Sequence, residues 1–427
     1  MFSVIKNAWK VDDIRKKMLF TLLVVVIYRL GSQIPVPYID NEALASLFSS
    51  TSVQSSLLGY FNMLSGDSFS KATLFALGVS PYITASIVIQ LLTIVIPAWE
   101  RWSKEGPEGQ KKLARVTRYA TIILAIVTAY GYYVTIRNYG MIEDNGVFAA
   151  FVICAAYTAG ACIVTWIGEK IDDFGIGNGI SIILFANICA GGAFKILALF
   201  QYFGMSNEWY WAILALILML AIIVFVVFIS DSERRLPVNY AKRQQGRKMY
   251  GGNSTYLPIK VLMNGVMPII FASSIASLPQ TLALIFPGMQ TFVSTWCTTQ
   301  LPNGWIYVLV LFVLIIAFAY FYTTISFNSY EIANNLRSNG GTIMGHRPGK
   351  PTADFIQKVV NKIVLIGAVC LSVIAIVPIL LSWTGSSALS TLVFGGTSLI
   401  IIVGVALETV RDIESELMMR HYKGFLG

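Results

Sequence analysis

The sequence predicts an all-α polytopic membrane protein, with ten transmembrane helices in two inverted, pseudo-symmetric five-helix halves around a central pore. Three observations carry that expectation. The 427 residues are 56% hydrophobic and only 12% charged, with a mean hydropathy of +0.68, far from a soluble globular composition. Ten apolar segments reach the roughly 20 residues needed to cross a hydrocarbon core. Two stretches inside such segments nearly repeat each other: Gly78-Val79-Ser80-Pro81-Tyr82-Ile83-Thr84-Ala85-Ser86 and Gly265-Val266-Met267-Pro268-Ile269-Ile270-Phe271-Ala272-Ser273.

The expected spans, in order, are 18–34, 73–96, 119–136, 147–167, 180–200, 209–229, 261–286, 305–327, 360–381 and 390–407. The first follows Lys10, Arg15, Lys16 and Lys17 as a signal peptide would. It is too long for one and has no small-residue cleavage pattern after it, so it stays as a transmembrane helix. With the N-terminus cytoplasmic, all but Arg29, Lys71, Arg137 and Lys195 of the 31 Lys and Arg residues fall on the cytoplasmic side. The positive-inside rule therefore places both termini in the cytoplasm. Cys154, Cys162, Cys189 and Cys370 lie in apolar segments and Cys297 is external, so neither a disulfide framework nor a metal cluster is spelled.

A proline inside an apolar segment, matched in both halves of a chain, points to a membrane protein of two repeats with its working site between them. A shift of five helices turns an outward-running segment into an inward-running one, so the Pro81 and Pro268 helices are expected to be related by inverted topology. A second echo agrees: Gly179-Ile180-Ser181 and Gly396-Thr397-Ser398 each precede three aliphatic residues. The expected organisation is one membrane domain over 1–427. Its N-terminal half is 1–200, a hinge follows at 201–208, the C-terminal half is 209–410, and 411–427 is a cytoplasmic tail.

Residues aligned by the repeat should meet near the pseudo-two-fold axis, and they are aliphatic. Val79, Ile83 and Ile87 are spaced four apart and share a helix face, as do Val266 and Ile270, and Ile180 and Leu184. The aligned pairs are Val79 with Val266, Ile83 with Ile270, and Leu184 with Ile401. A waist ringed by such side chains excludes water by dewetting and so blocks ions, while offering no polar group that selects one solute. No Asp, Glu, His or Lys falls in the middle of a span, which counts against an ion-coupled carrier. No Walker loop, His-Glu-x-x-His motif or credible Ser-His-Asp set occurs. The reading is therefore not an enzyme, with no cofactor and no metal, and its energy source is external.

Motifs along the whole chain resemble the SecY family, the central subunit of the bacterial Sec protein-conducting channel. They include Arg29-Leu30-Gly31-Ser32-Gln33-Ile34-Pro35-Val36-Pro37, Phe61-Asn62-Met63-Leu64-Ser65-Gly66 and Gly175-Ile176-Gly177-Asn178-Gly179-Ile180-Ser181. Others are Asn239-Tyr240-Ala241-Lys242-Arg243-Gln244-Gln245-Gly246, Arg347-Pro348-Gly349-Lys350-Pro351-Thr352 and Phe394-Gly395-Gly396-Thr397-Ser398. The resemblance implies a pore ring at Val79, Ile83, Ile87, Ile180, Leu184, Ile270 and Ile401. Leu184 stands where the family pattern suggests isoleucine, a swap that keeps volume and apolarity.

The resemblance also implies a plug that seals the resting pore, made of Gly59, Tyr60, Phe61, Asn62, Met63, Leu64, Ser65 and Gly66. It implies a lateral gate between the second, third, seventh and eighth helices, with Thr84, Ser86, Gln90, Asn264, Ser273 and Ser274 as its polar residues. Interhelical hydrogen bonds of that kind typically contribute well under ~2 kcal/mol each, weak enough for a seam to part. Two basic cytoplasmic loops of about 30 residues, 230–258 and 328–357, exceed ordinary helix connections, and the first reads as an ordered projection with a turn. By resemblance, Lys242, Arg243, Arg247, Lys248, Arg347 and Lys350 dock the ribosome and the motor ATPase SecA.

The implied partners are the small membrane subunits SecE and SecG, SecA, the ribosome, signal sequences and nascent chains, and membrane lipids. The implied location is the bacterial plasma (inner) membrane, multi-pass. The implied function is to pass unfolded secretory polypeptides across and release transmembrane segments laterally. A secondary transporter of a small solute, also built from inverted repeats, is the alternative; a pore-less insertion scaffold is a third reading.

Overall fold

The computed structural model describes residues 2–49, 62, 65–142, 146–202, 209–240, 243–245, 248–250, 254–263, 265–285, 288, 304–383 and 387–423. In chain order the helices are α1 (Phe2–Trp9), α2 (Asp12–Gly31), α3 (Asn41–Ser49), α4 (Ser80–Val95), α5 (Pro97–Lys104), α6 (Pro107–Asn138) and α7 (Val147–Phe174). There follow α8 (Gly179–Tyr202), α9 (Trp209–Asp231), α10 (Met267–Ile285), α11 (Gly304–Ser326), α12 (Ser329–Ser338), α13 (Lys350–Ser382) and α14 (Ser387–Lys423). Each of the ten apolar stretches lies on one of these. Among the described residues, Pro107–Asn138, Val147–Phe174, Gly304–Ser338 and Lys350–Leu381 are long and apolar enough by themselves to cross a membrane; Ser80–Val95 with Pro97–Lys104 makes a fifth if that bent pair is one span.

The two echoed prolines do not interrupt helices; they open them. Residues 73–79 are turns, and Pro81 sits in the first turn of α4. Pro268 is likewise the second residue of α10. A proline in the first turn loses no hydrogen bond, whereas in a helix interior it costs about 3 kcal/mol. Just ahead of each helix a glycine takes the left-handed conformation, Gly78 at φ 53° and Gly265 at φ 57°. The second echo does not share this geometry, because Gly179 opens α8 while Gly396 lies inside α14. At its other end α4 stops at Ile96, extended as a residue before proline must be, and Pro97 starts α5 at 103° to α4.

One apolar core runs through both halves of the chain. It joins Val24 and Tyr28 of α2, Ile83 and Ile87 of α4, Val164 of α7 and Ile183 of α8 to Val226 of α9, Ile269 of α10, Ile315 of α11, Leu371 of α13 and Ile400 of α14. A second core fastens 65–79 and the segment after α2 onto α6 and α7, through Phe69, Ala76, Ala129, Tyr132, Ile153 and Tyr157. There Tyr132 donates its hydroxyl to the Phe69 carbonyl at 2.5 Å, and the two rings lie 4.0 Å apart. Tyr132→Phe is expected to cost about 1 kcal/mol, read as a lower Tm of the purified chain.

The expectation of helices alone is corrected in the loops. After α9 come β1 (Glu233–Tyr240), β2 (Arg243–Gln245), β3 (Lys248–Tyr250) and β4 (Ser254–Lys260), and after α12 comes β5 (Gly341–Ile343). The strands β4-β1-β5 form one antiparallel sheet, with Leu236 opposite Leu257 and Val238 opposite Ile343. β2 and β3 pair as a separate hairpin. Leu236, Val238, Ile259 and Ile343 pack on Ala319 of α11 and on Ile356, Val360 and Ile363 of α13. Both basic loops are therefore rooted in one sheet seated on two helices. Residues near both chain ends, Ala8, Ile14 and Ile413, form a small cluster with Ile176 of the α7–α8 connection, and Lys17 Nζ pairs with Glu416 Oε1 at 2.5 Å.

Candidate functional site

The residues expected at the waist lie on or beside four helices, two from each half of the chain, and belong to one apolar core. Val79, the residue before α4, and Ile83 and Ile87 on it follow one face, as their spacing of four requires. Leu184 comes from α8, Ile270 from α10 and Ile401 from α14, and all six are 1–5% exposed. Ile180, one turn before Leu184, is half-buried and packs against the same core. Val266 also belongs to that core. At Gly404 of α14, a Cβ would lie 2.0 Å from Val266 Cγ1, so that glycine lets α14 approach the start of α10. Side chains of this kind each gain about 1.5–3 kcal/mol on full burial and offer water no hydrogen bond.

Of the helices expected to form the seam, α10 lies against α4, α6 and α11. Thr84, Ser86 and Gln90 are half-buried along α4. Ser273 and Ser274 on α10 both donate to the Ile270 carbonyl of their own helix, at 2.9 and 2.8 Å. Gln90 reaches across: its Oε1 accepts a hydrogen bond from the Tyr322 hydroxyl on α11. Asn264 lies outside the described residues. Tyr322 was not among the residues expected at this seam. Its signal is faint, a tyrosine within Tyr320-Phe321-Tyr322 near the end of an apolar helix, and its partner is 232 positions away.

Of the eight plug positions, Asn62, Ser65 and Gly66 are described, while Gly59, Tyr60, Phe61, Met63 and Leu64 lie outside the described residues. The Asn62 carbonyl accepts from Asp67 N and from Ser65 Oγ, both at 2.9 Å. Its side chain donates to Asp67 Oδ1 at 3.1 Å and accepts from Ser70 N at 2.8 Å. Gly66 takes φ 64°, and a Cβ there would lie 2.9 Å from the Asn187 carbonyl oxygen and 3.0 Å from Arg29 Nη1. Asn187 stands three residues beyond Leu184 on α8, hence on the same face. The end of the segment expected to be the plug is therefore set against α8, the helix that carries Leu184.

Of the six residues expected to dock partners, Arg347 and Lys350 are exposed at the turn that opens α13. Arg243 and Lys248 lie in strands β2 and β3, and Lys242 and Arg247 lie outside the described residues. The hinge positions 203–208 do as well, with Gln201 and Tyr202 ending α8. Toward the end of α14, burial and the neighbouring Glu416 carboxylate push Asp412 above the ordinary carboxylate range. Among the described residues Cys154, Cys162, Cys189 and Cys370 are free thiols.

Known proteins match this chain along its length. A family model described as SecY matches residues 73–410. The chain is 42% identical over 438 residues to a protein translocase subunit SecY of Streptomyces galbus, and 41% identical over 444 residues to that of Mycobacterium tuberculosis; both matches cover 100% of each chain. A solved structure described as a protein conducting channel superposes with a TM-score of 0.69 at 16% identity, covering 94% of this chain and 92% of that one. Sec61 in the canine ribosome-channel complex from the endoplasmic reticulum gives 0.65 at 15% identity, with the same coverages. At those identities the two structures speak to the fold alone. The full-length relatives and the matched family model together establish that the chain belongs to the SecY family.

Proposed function

We propose that this chain is the protein-conducting subunit of a Sec translocase, which passes unfolded secretory polypeptides across the bacterial plasma membrane and releases apolar segments sideways into lipid. One observation carries the reading: the aliphatic side chains expected at the waist, from both halves of a chain 42% identical to a translocase subunit over its whole length, are buried in one apolar core. A dry, chemically indifferent constriction suits cargo of any sequence. A small-solute carrier would need polar groups that select its solute, so that alternative loses its support.

In this reading ten helices span the membrane as two inverted halves, 1–200 and 209–410, hinged at 201–208, with both termini and the tail 411–427 in the cytoplasm. The left-handed glycine before each proline-initiated helix, at 78 and 265, supports a structural repeat of the two helix starts. The seven ring residues form the constriction, 59–66 seals it, and the seam of α4 and α6 against α10 and α11 is the exit to lipid. SecE and SecG accompany the chain, and SecA or the elongating ribosome supplies the push.

The basic loops are the docking surface for ribosome and SecA, a role favoured by their shared sheet and by exposed Arg347 and Lys350. The test of the function is export of a signal-bearing precursor by membrane vesicles that contain the chain with its partners. Crosslinks from the signal segment to Gln90 are expected. Uptake of one small solute, with no precursor export, would overturn the reading. For the loops, reversing Arg243 and Arg347 together to Glu is expected to lower co-purification of ribosomes at least tenfold, because each lost phosphate contact removes roughly one counterion's worth of salt-dependent affinity. Unchanged binding of both ribosomes and SecA would remove the docking role from these loops.

A further inference from the structure

Residues 344–349 join β5 to α13 and carry Arg347 exposed. Gly345 at φ 84° and Gly349 at φ 102° give this stretch left-handed backbone at two points, a freedom that lets a loop wander unless something ties it. Two ties reach it from α13. The Thr352 hydroxyl donates to the Arg347 carbonyl at 2.8 Å, and Phe355 stacks on the His346 ring with centroids 4.1 Å apart. Phe355 is bedded in turn on the cluster that seats the sheet on α11 and α13. Thr117, Thr121, Thr165 and Thr323 each donate to a carbonyl one turn back in their own helix, the ordinary habit of a helical threonine. Thr352 instead reaches five positions back, past the start of its helix, and is 3% exposed. Pro348 already biases Arg347 toward extended backbone. Holding the Arg347 carbonyl then sets the direction in which that side chain leaves the loop.

We infer that Thr352 is a positioning residue for partner docking, its buried hydroxyl holding Arg347 in the pose that meets the phosphates of ribosomal RNA; the inference rests on the docking role proposed above. A charged side chain on a wandering loop must be ordered when the partner arrives, and that ordering subtracts from affinity. The two ties do the ordering beforehand, within the folded chain. Being buried, Thr352 acts through Arg347 and makes no contact of its own. His346 is the second tie, and it acts through ring packing rather than charge. A lost hydrogen bond of this kind shifts a binding equilibrium by about fivefold, which is large enough to measure. The substitution that isolates it is Thr352→Val, which keeps the branched shape and removes the hydroxyl.

The test measures ribosome binding by the full chain in its membrane complex over a series of salt concentrations. Thr352→Val is expected to weaken binding about fivefold at each salt concentration. The slope of log affinity against log salt should stay where it was, because no phosphate contact is lost. Arg347→Ala, by contrast, should lower that slope by about one. Added to Arg347→Ala, the Thr352→Val change should cost nothing further, whereas a general loss of fold would weaken binding in either background. Thr352→Ser keeps the hydroxyl and should bind as the original does. His346→Ala carries the test should Thr352→Val fail to accumulate, with an expected weakening of about threefold that again vanishes without Arg347. Unchanged binding by Thr352→Val where Arg347→Ala binds more weakly, or an equal loss with and without Arg347, overturns the inference while docking stands. An Arg347→Ala variant with the original affinity and salt slope would defeat the docking role of Arg347 itself, and the inference with it.

Discussion

Asparagine at Ile401 is expected to make the resting channel leak ions, by roughly thirtyfold over the unsubstituted chain. Ile401 is 3% exposed and packs in a core with Val79, Ile83, Leu184 and Ile270. An amide placed there without a partner costs about 2 kcal/mol or more if the waist stays dry. Admitting water removes that cost, and the same energy converts to roughly a thirtyfold shift toward the hydrated waist. Ile83→Asn and Ile270→Asn should behave alike, because each puts the same amide into the same core from a different helix. Ile401→Val keeps the side chain branched and apolar, so it should leave conductance at its resting level. The measurement is ion efflux from vesicles holding the chain, with no cargo present. Were all three asparagine variants as tight as the original, these residues would not form the seal.

The two halves of that argument were legible in the sequence to different degrees. Apolar runs long enough to span a bilayer identified every long helix, because burial in lipid demands little more than apolarity and length. Val79, Ile83, Leu184, Ile270 and Ile401 were singled out because a repeat aligned them, and composition alone would not have chosen among so many aliphatic residues; all five are buried in one core. The start of the second span was misjudged since residues 73–79 are as apolar as a helix; Gly78 and Pro81 were the readable clues that the helix begins later.

The sheet was harder to see. Leu236 and Val238 alternate with exposed Arg235 and Pro237 as a strand requires, yet β5, which pairs with β1, comes a hundred residues later. Tyr322 was missed for the same physical reason, as a hydrogen bond between distant helices leaves no periodicity in either. The hydroxyls of Ser273 and Ser274 each bond the Ile270 carbonyl of their own helix, a local choice that the identity of the residue does not reveal.

Close approach of backbones is the feature least visible in sequence, and it underlies the other large expected effect. Gly160 lies in α7, where small residues are common and nothing singles one out. A Cβ at Gly160 would stand 1.9 Å from the carbonyl oxygen of Leu74 and 2.9 Å from its carbonyl carbon. Those are main-chain atoms of the turn segment that leads into α4, and they cannot rotate away as a side chain would.

Leu74 N donates to the Ile34 carbonyl at 2.8 Å, so the strand of chain that would have to yield is also tied to the end of α2. Gly160→Val must therefore push α7 off the 65–79 segment. The cost should be at least the ~3 kcal/mol at the upper end of ordinary overpacking. Expected results are a marked fall in the amount of folded chain in the membrane and a much lower Tm. Gly192→Ala on α8 is the comparison, because a Cβ there meets nothing within 4 Å. In a helix interior alanine is about 1 kcal/mol more favourable than glycine, so that variant should accumulate at least as well as the original. Equal Tm values for the two variants would mean that α7 does not rest on the backbone at Leu74.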